Sequence, residues 1–169
     1  MESTLYPRRI VGIDPGTTTG FVCMDLDLKR GENLPNIRVA PEQYGPQPHH
    51  LKLYKSLLVL HPEVIVCESF EYRNNSRAGL VLDSVEYIGV VKTYVEAWNV
   101  PVIFQTAALG KVQHNKGLVK RTNLERLGLW SPGKVHAMDA LGHIMYYLLN
   151  DKRYNGTALR LDLLERGWK

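Results

Sequence analysis

Apolar positions along this chain switch between two rhythms. Some form short unbroken or alternating runs, and others return every three or four residues over longer stretches. Residues 10–13 (Ile-Val-Gly-Ile) are the first unbroken run and predict a buried strand that ends on Asp14. Pro15 has no N–H and Gly16 tolerates positive φ, so the chain is expected to turn there. Residues 17–24 then predict a second strand, β-branched and apolar, closing a hairpin. A turn at 29–33, a short third strand at 37–40 and a Pro-rich loop at 41–48 follow. Residues 49–60 have a helical period stopped by Pro62. Residues 63–68 read as the next strand, apolar enough through its centre to be buried on both faces. A polar, aromatic and basic loop is expected over 70–79, then a long helix over 80–98. The apolar residues of that helix cover more than one stripe, as in a helix buried on several sides, in a core or against a partner. Residues 101–105 predict a fifth strand, 107–115 and 118–127 weaker basic helical patterns, and 134–150 a strong helix introduced by Ser131-Pro132-Gly133.

A hairpin followed by strand–helix alternation predicts an α/β fold, a mixed five-stranded sheet flanked by helices. The helical crossover over 80–98 should make the strands at 64–68 and 101–105 parallel. We expect one domain over 1–150 and a C-terminal tail over 151–169 with a helical patch at 158–165. The chain has 169 residues, 44% of them hydrophobic, which is enough for a real core and excludes a disordered chain. No apolar run reaches membrane-spanning length and the first residues do not resemble a secretion signal. Cys23 and Cys67 both fall in predicted buried strands, which suits reduced thiols and a cytoplasmic location.

Charge is unevenly spread. Residues 1–100 hold ten Lys/Arg against twelve Asp/Glu, and residues 101–169 hold eleven against five, so the second half suits an anionic partner. The basic excess concentrates in Lys111, Lys116, Lys120, Arg121, Arg126 and Lys134, opposed only by Glu125. Such a segment can bind backbone phosphates, or simply be a solvated basic surface. Phe70, Tyr72, Arg73, Asn74, Asn75 and Arg77 combine aromatic faces with basic and amide groups, a set able to stack on unpaired bases and hold phosphates.

Candidate chemistry gathers at element ends. Asp14 closes the first strand and Glu68 the fourth; a carboxylate there is costly unless solvated, paired or metal-bound. His136 and Asp139 are three positions apart on the last long helix and share a face. Three acids and an imidazole from three elements make a hard site suited to Mg²⁺ or Mn²⁺ rather than to a structural Zn²⁺. Two such ions would clamp the attacking and leaving oxygens of a phosphodiester, Asp14 bridging both, Glu68 holding one, and His136 with Asp139 holding the other. His143, one turn beyond Asp139, reads as a structural or supporting histidine.

Gly12-Ile13-Asp14-Pro15-Gly16, Val66-Cys67-Glu68 and residues 136–142 (His-Ala-Met-Asp-Ala-Leu-Gly) together resemble the RuvC family of Holliday junction resolvases, in the ribonuclease H-like superfamily. The resemblance spans residues 8 to about 150. It implies a ribonuclease H-like fold and a crossover junction endodeoxyribonuclease with metal-binding positions at Asp14, Glu68, His136 and Asp139. It also implies a homodimer nicking a four-way junction symmetrically, with an aromatic residue, Phe70, just after the second acid and functional lysines for which Lys111 and Lys116 are the best matches. The region 105–125 drifts most from bacterial members, as in a divergent, bacteriophage-like one, and flapped or otherwise branched DNA stays open as substrate. Two other readings stay open: a nucleotide-binding domain of the actin-like and sugar-kinase group, in which residues 14–20 would be a phosphate-binding turn, and a catalytically silent DNA-binding protein of the same fold. Alanine at Lys116 and Lys120 is expected to flatten the salt dependence of DNA binding by about one unit of log–log slope per lost phosphate contact, measured by titration over a range of salt concentrations.

Overall fold

The chain alternates strands and helices in the order β1 (Arg9–Asp14), β2 (Thr19–Asp27), β3 (Asn36–Tyr44), α1 (His50–Leu60), β4 (Val64–Ser69), α2 (Ala78–Trp98), β5 (Val102–Thr106), α3 (Arg121–Arg126), α4 (Val135–Asn150) and α5 (Gly156–Glu165). This computed structural model describes residues 7–27, 36–46, 48–70, 78–109, 120–151 and 156–165. The strands form one five-stranded sheet in the order β3-β2-β1-β4-β5. β1, β2 and β3 pair antiparallel as a meander, while β1, β4 and β5 run parallel. The expected mixed sheet and the parallel crossover through α2 are both present. Among the described residues, no helix is long and apolar enough to cross a membrane.

The sheet is covered on both faces, which is why β1 and β4 read as unbroken apolar runs rather than alternating ones. On one face, Ile10, Val22, Met24, Val64 and Val66 pack against α4, with Leu124 of α3 and Leu159 and Leu163 of α5 in the same cluster. On the other, Val11, Ile13, Phe21, Ile65 and Cys67 pack against Leu53 and Leu57 of α1 and Tyr87, Ile88, Val91 and Tyr94 of α2. α1 stops where His61 turns left-handed (φ 48°) and donates its N–H to the Leu57 carbonyl, with Pro62 following.

Three expectations are corrected. The third strand is nine residues, not four, and absorbs the first half of the expected Pro-rich loop: Pro41 pairs opposite Val22. β3 is an edge strand, where a missing N–H can face away from the ladder, so proline does not break it. Thr17 and Thr18 stand in the turn rather than in β2, because the Thr17 hydroxyl donates to Asp83 and the Thr19 hydroxyl back to the Gly16 carbonyl. Among its described side chains α2 buries one stripe in the core rather than several, with Val85 and Trp98 about half exposed, and the alternative of burial against a partner stands.

α4 lies unusually close to the sheet. A Cβ on Gly12 would come within 2.6 Å of the Ala140 carbonyl and 2.8 Å of the Ile144 side chain, and one on Gly20 would collide with the His136 carbonyl. Only residues without side chains permit that approach. Gly20→Ala is therefore expected to lower unfolding stability by about 1–3 kcal/mol or more. Gly45→Ala, with nothing within 4 Å of the added carbon, should stay within about 0.5 kcal/mol of the parent; urea denaturation of both variants checks the pair.

Candidate metal centre

The site forms where two parallel strands end side by side. Ile13 pairs with Cys67 in the β1–β4 register, so Asp14 and Glu68 follow as neighbours at the strand ends. Both alternate with residues on the α4 face of the sheet, Gly12 and Val66. The turn after Asp14 is held from outside: Thr17 bonds Asp83 at 2.8 Å, and the Ser84 hydroxyl donates to the Pro15 carbonyl at 2.8 Å. Both anchors lie near the start of α2.

α4 brings the remaining groups. Its N-terminal turn is held against the sheet by β3: the Gln43 side-chain oxygen accepts the His136 N–H at 3.2 Å, and Lys134 Nζ donates to the Pro41 carbonyl at 2.7 Å. Gln43 thus satisfies one of the helix-end donors that the N-cap side chain leaves unbonded. Thus fixed, His136 Nδ1 lies 2.9 Å from Asp14 Oδ2. Asp14, His136 and Asp139 each offer one ligand atom, and these atoms lie within 4.8 Å of one another. Glu68 stands at the edge of this group. Its charge bears on both Asp14 and His136, but its Oε2 is 3.1 Å from Nε2 of His143. His143 is fully buried, and its Nδ1 faces Gln105 Oε1 at 2.9 Å.

The groups shift one another's hold on a proton. Burial is the main cause that lifts the Asp14 carboxyl above its ordinary value, with Glu68 and Asp139 adding to it, and the His136 bond offsets only part of this. The His136 imidazole is also raised, chiefly by its bond to Asp14 and then by the charges of Asp14, Asp139 and Glu68, against the opposing effect of burial. The two shifts have different leading causes, burial for Asp14 and the Asp14 bond for His136, and the neighbouring acids add to both. The Cys67 thiol behind β4 is pushed up by burial and by the two acids, so it is an inert packing group.

The other sequence candidates scatter. Phe70 follows β4 directly and lines a cleft of about 310 Å³ with Ser69, Val85, Ile88, Lys92 and Phe104. Lys120 is the exposed residue preceding α3. Arg121 is exposed, but its Nε bonds Glu125 at 2.7 Å and its guanidinium sits 5.3 Å from the Trp130 ring centre. Lys134 is committed to β3. Tyr72, Arg73, Asn74, Asn75, Arg77, Lys111 and Lys116 lie outside the described residues. Gln43, Asp83, Ser84 and Gln105 were not singled out from sequence. Gln105 alone had a signal there, as a polar residue closing an apolar strand in the manner of Glu68.

Raised folded values fix a sign. Both groups hold a proton more tightly in the folded chain than in the unfolded one, so without cations stability falls as pH rises. The Asp14 contribution is lost from the ordinary 3.8 upward to its raised value. That of His136 is full below 6.5 and lost as pH passes its raised value. In EDTA at pH 8, Asp14→Asn is therefore expected to melt above the parent, with the gap closing toward pH 4 in thermal melts.

Compared by sequence, the chain matches no protein-family model and no curated protein. Compared by structure, it is similar to Thermus thermophilus RuvC at TM-score 0.60 and 23% identity, covering 82% of this chain and 94% of that one. It is also similar to T. thermophilus RuvC in complex with Holliday junction substrate, at TM-score 0.62 and 21% identity over the same shares of the two chains. The fowlpox virus Holliday junction resolvase aligns at TM-score 0.52 and 15% identity, covering 82% of this chain and 97% of that one. The sheet order, the crossing of α4 and these alignments together show that the chain has the ribonuclease H-like fold of the RuvC resolvases, at a large sequence distance.

Proposed function

We propose that this chain is a metal-dependent endonuclease of branched DNA, four-way junctions included, acting as a homodimer that cuts two phosphodiesters as a pair. The observation that carries the reading is the meeting of Asp14, His136 and Asp139, from a strand end and a helix, on the fold of a junction resolvase. The donor chemistry fits the implied cations. Carboxylate oxygens from Asp14, Glu68 and Asp139 and one nitrogen from His136 suit two Mg²⁺ or Mn²⁺ ions. Bound there, such ions would supply Lewis acidity, turning water into a nucleophile near neutral pH and neutralising charge on the departing oxygen.

The chain's own residues have separate tasks. His136 must bind an ion as the neutral imidazole, and its raised hold on a proton means that ligation strengthens as pH rises. Phe70 and Phe104 offer aromatic faces to an unpaired base at a branch point, and Lys92 Nζ lies 5.8 Å from the Phe104 ring centre. Lys120 and Arg121, with Lys111 and Lys116 before them in sequence, would hold backbone phosphates, as would Tyr72, Arg73 and Arg77, which follow Phe70 in sequence. Lys134 is withdrawn from that role by its bond to Pro41. Among the described residues Val85 and Trp98 on α2 stay about half exposed, which leaves that helix room for a second copy. The alternative of a phosphate-binding turn at 14–20 loses ground, because it gives His136 and Asp139, which meet Asp14, no role.

The test is a gel assay with Mg²⁺ on labelled four-way, flapped, single-stranded and linear duplex DNA. Branched substrates are expected to be cut, and EDTA to stop the reaction. Asp14→Asn should lose more than about 100-fold in rate, since even residues supporting a metal ligand account for 10–100-fold, while still retarding the junction in a gel shift. ATP hydrolysis without DNA cleavage, or equal loss of binding and cutting in Asp14→Asn, would overturn the proposal.

A further inference from the structure

A fully buried imidazole in the middle of an apolar helix face needs a reason. His143 lies between Leu141 and Ile144 on α4, with Ala140 and Met145 buried on either side in sequence. Burying its two ring nitrogens costs free energy unless both find partners. They find them on two adjacent strands. Glu68 of β4 and Gln105 of β5 stand opposite each other in the parallel register. His143 reaches both, Nδ1 to Gln105 at 2.9 Å and Nε2 to Glu68 at 3.1 Å. Gln105 is itself 95% buried, and its amide can present either its oxygen or its nitrogen to Nδ1 after a half-turn. With the amide nitrogen turned to Nδ1, that ring nitrogen accepts and the Nε2–H donates to Glu68; with the amide oxygen there, Nδ1 must carry a proton as well as Nε2.

We propose that His143, steadied by Gln105, is a positioning residue that fixes where the Glu68 carboxylate stands for cation binding. This rests on the reading of Glu68 as a metal ligand. Among the described residues His143 is the side chain that bonds the Glu68 carboxylate, and Glu68 lies beside the Asp14–His136–Asp139 cluster rather than within it. A glutamate has three side-chain torsions to order. One oxygen held by a buried donor orders them before a cation arrives and leaves the other oxygen for the ion. The arrangement is the familiar one in which a ligand is oriented by a partner behind it, with histidine and carboxylate exchanging roles.

The experiment measures Mn²⁺ binding to the full chain by calorimetry and the Mn²⁺ concentration giving half-maximal cleavage, for His143→Leu, His143→Gln, Gln105→Met and Glu68→Gln. His143→Leu is expected to weaken Mn²⁺ binding about 10–100-fold and to raise the half-maximal concentration in parallel. Junction retardation in EDTA should be unchanged, and saturating Mn²⁺ should restore most of the rate. His143→Gln keeps an N–H for Glu68 and should recover most of the loss. His143→Leu made in the Glu68→Gln background should cost little more than Glu68→Gln alone, because the two act through one carboxylate. The proposal is overturned if His143→Leu slows cutting without shifting the Mn²⁺ requirement, or if its effect is undiminished without the Glu68 carboxylate. Should His143→Leu fail to fold, Gln105→Met and His143→Gln decide. A shifted requirement in the first with a near-parental one in the second supports positioning, and parental values in both overturn it. A Glu68→Gln chain that binds Mn²⁺ like the parent sinks instead the reading of Glu68 as a ligand. Parental Mn²⁺ binding without cleavage of any DNA sinks only the nuclease reading.

Discussion

The site depends on how closely one helix backbone can approach a sheet. α4 crosses β1 and β2 where Gly12 and Gly20 carry no side chains, and its carbonyls at Ala140 and His136 fill the space that two Cβ atoms would take. Helix–sheet layers are normally separated by the side chains between them. Here two of those side chains are missing, so the N-terminal turn of α4 drops onto the hairpin beside Asp14. The 2.9 Å contact between His136 and Asp14 is a product of that approach. Gln43 and Lys134 then hold the helix end to the edge strand, so the turn is gripped from below and from the side.

α4 also gives the site a repeating logic. Its two histidines are seven residues, two turns, apart on one face, and each meets one strand-end carboxylate: His136 takes Asp14, and His143 takes Glu68. The two pairs differ in depth. His136 is close to half exposed and stands within the candidate metal cluster, while His143 has no exposure and is backed by Gln105. One imidazole is available to a ligand and the other to the scaffold. Neighbouring carboxylates at the ends of parallel strands would repel one another at this density. The helix answers with one nitrogen for each, and the remaining excess of negative charge is what a divalent cation would relieve.

Much of this was legible because the signals were strong and local. The unbroken runs ending at Asp14 and Glu68 marked central strands, and the i,i+3 spacing of His136 and Asp139 put both on one helix face. Other features were not, because they depend on neighbours far away in sequence. Pro41 reads as a breaker until β3 is known to be an edge. Gln43 looks like any exposed amide until α4 arrives 93 residues later to use it. Lys134 counts as a free cation in any charge tally, although its ammonium is taken by a backbone carbonyl. His143 was recognised as a supporting residue, but its partner Gln105 could be named only once β5 was laid beside β4.

The outer strand carries a further consequence, for what its free edge can accept. A nine-residue open edge is a template on which another chain can zip itself up by backbone hydrogen bonds. β3 interrupts that template near its middle. Pro41 offers no donor, its carbonyl is already occupied by the Lys134 ammonium, and the exposed side chains flanking it include Arg38 and Glu42. An incoming strand would meet a gap in the donor row, a spent acceptor and charges of both signs within five residues. The same lysine that draws the helix end onto the sheet thus also closes the middle of this rim to strand addition.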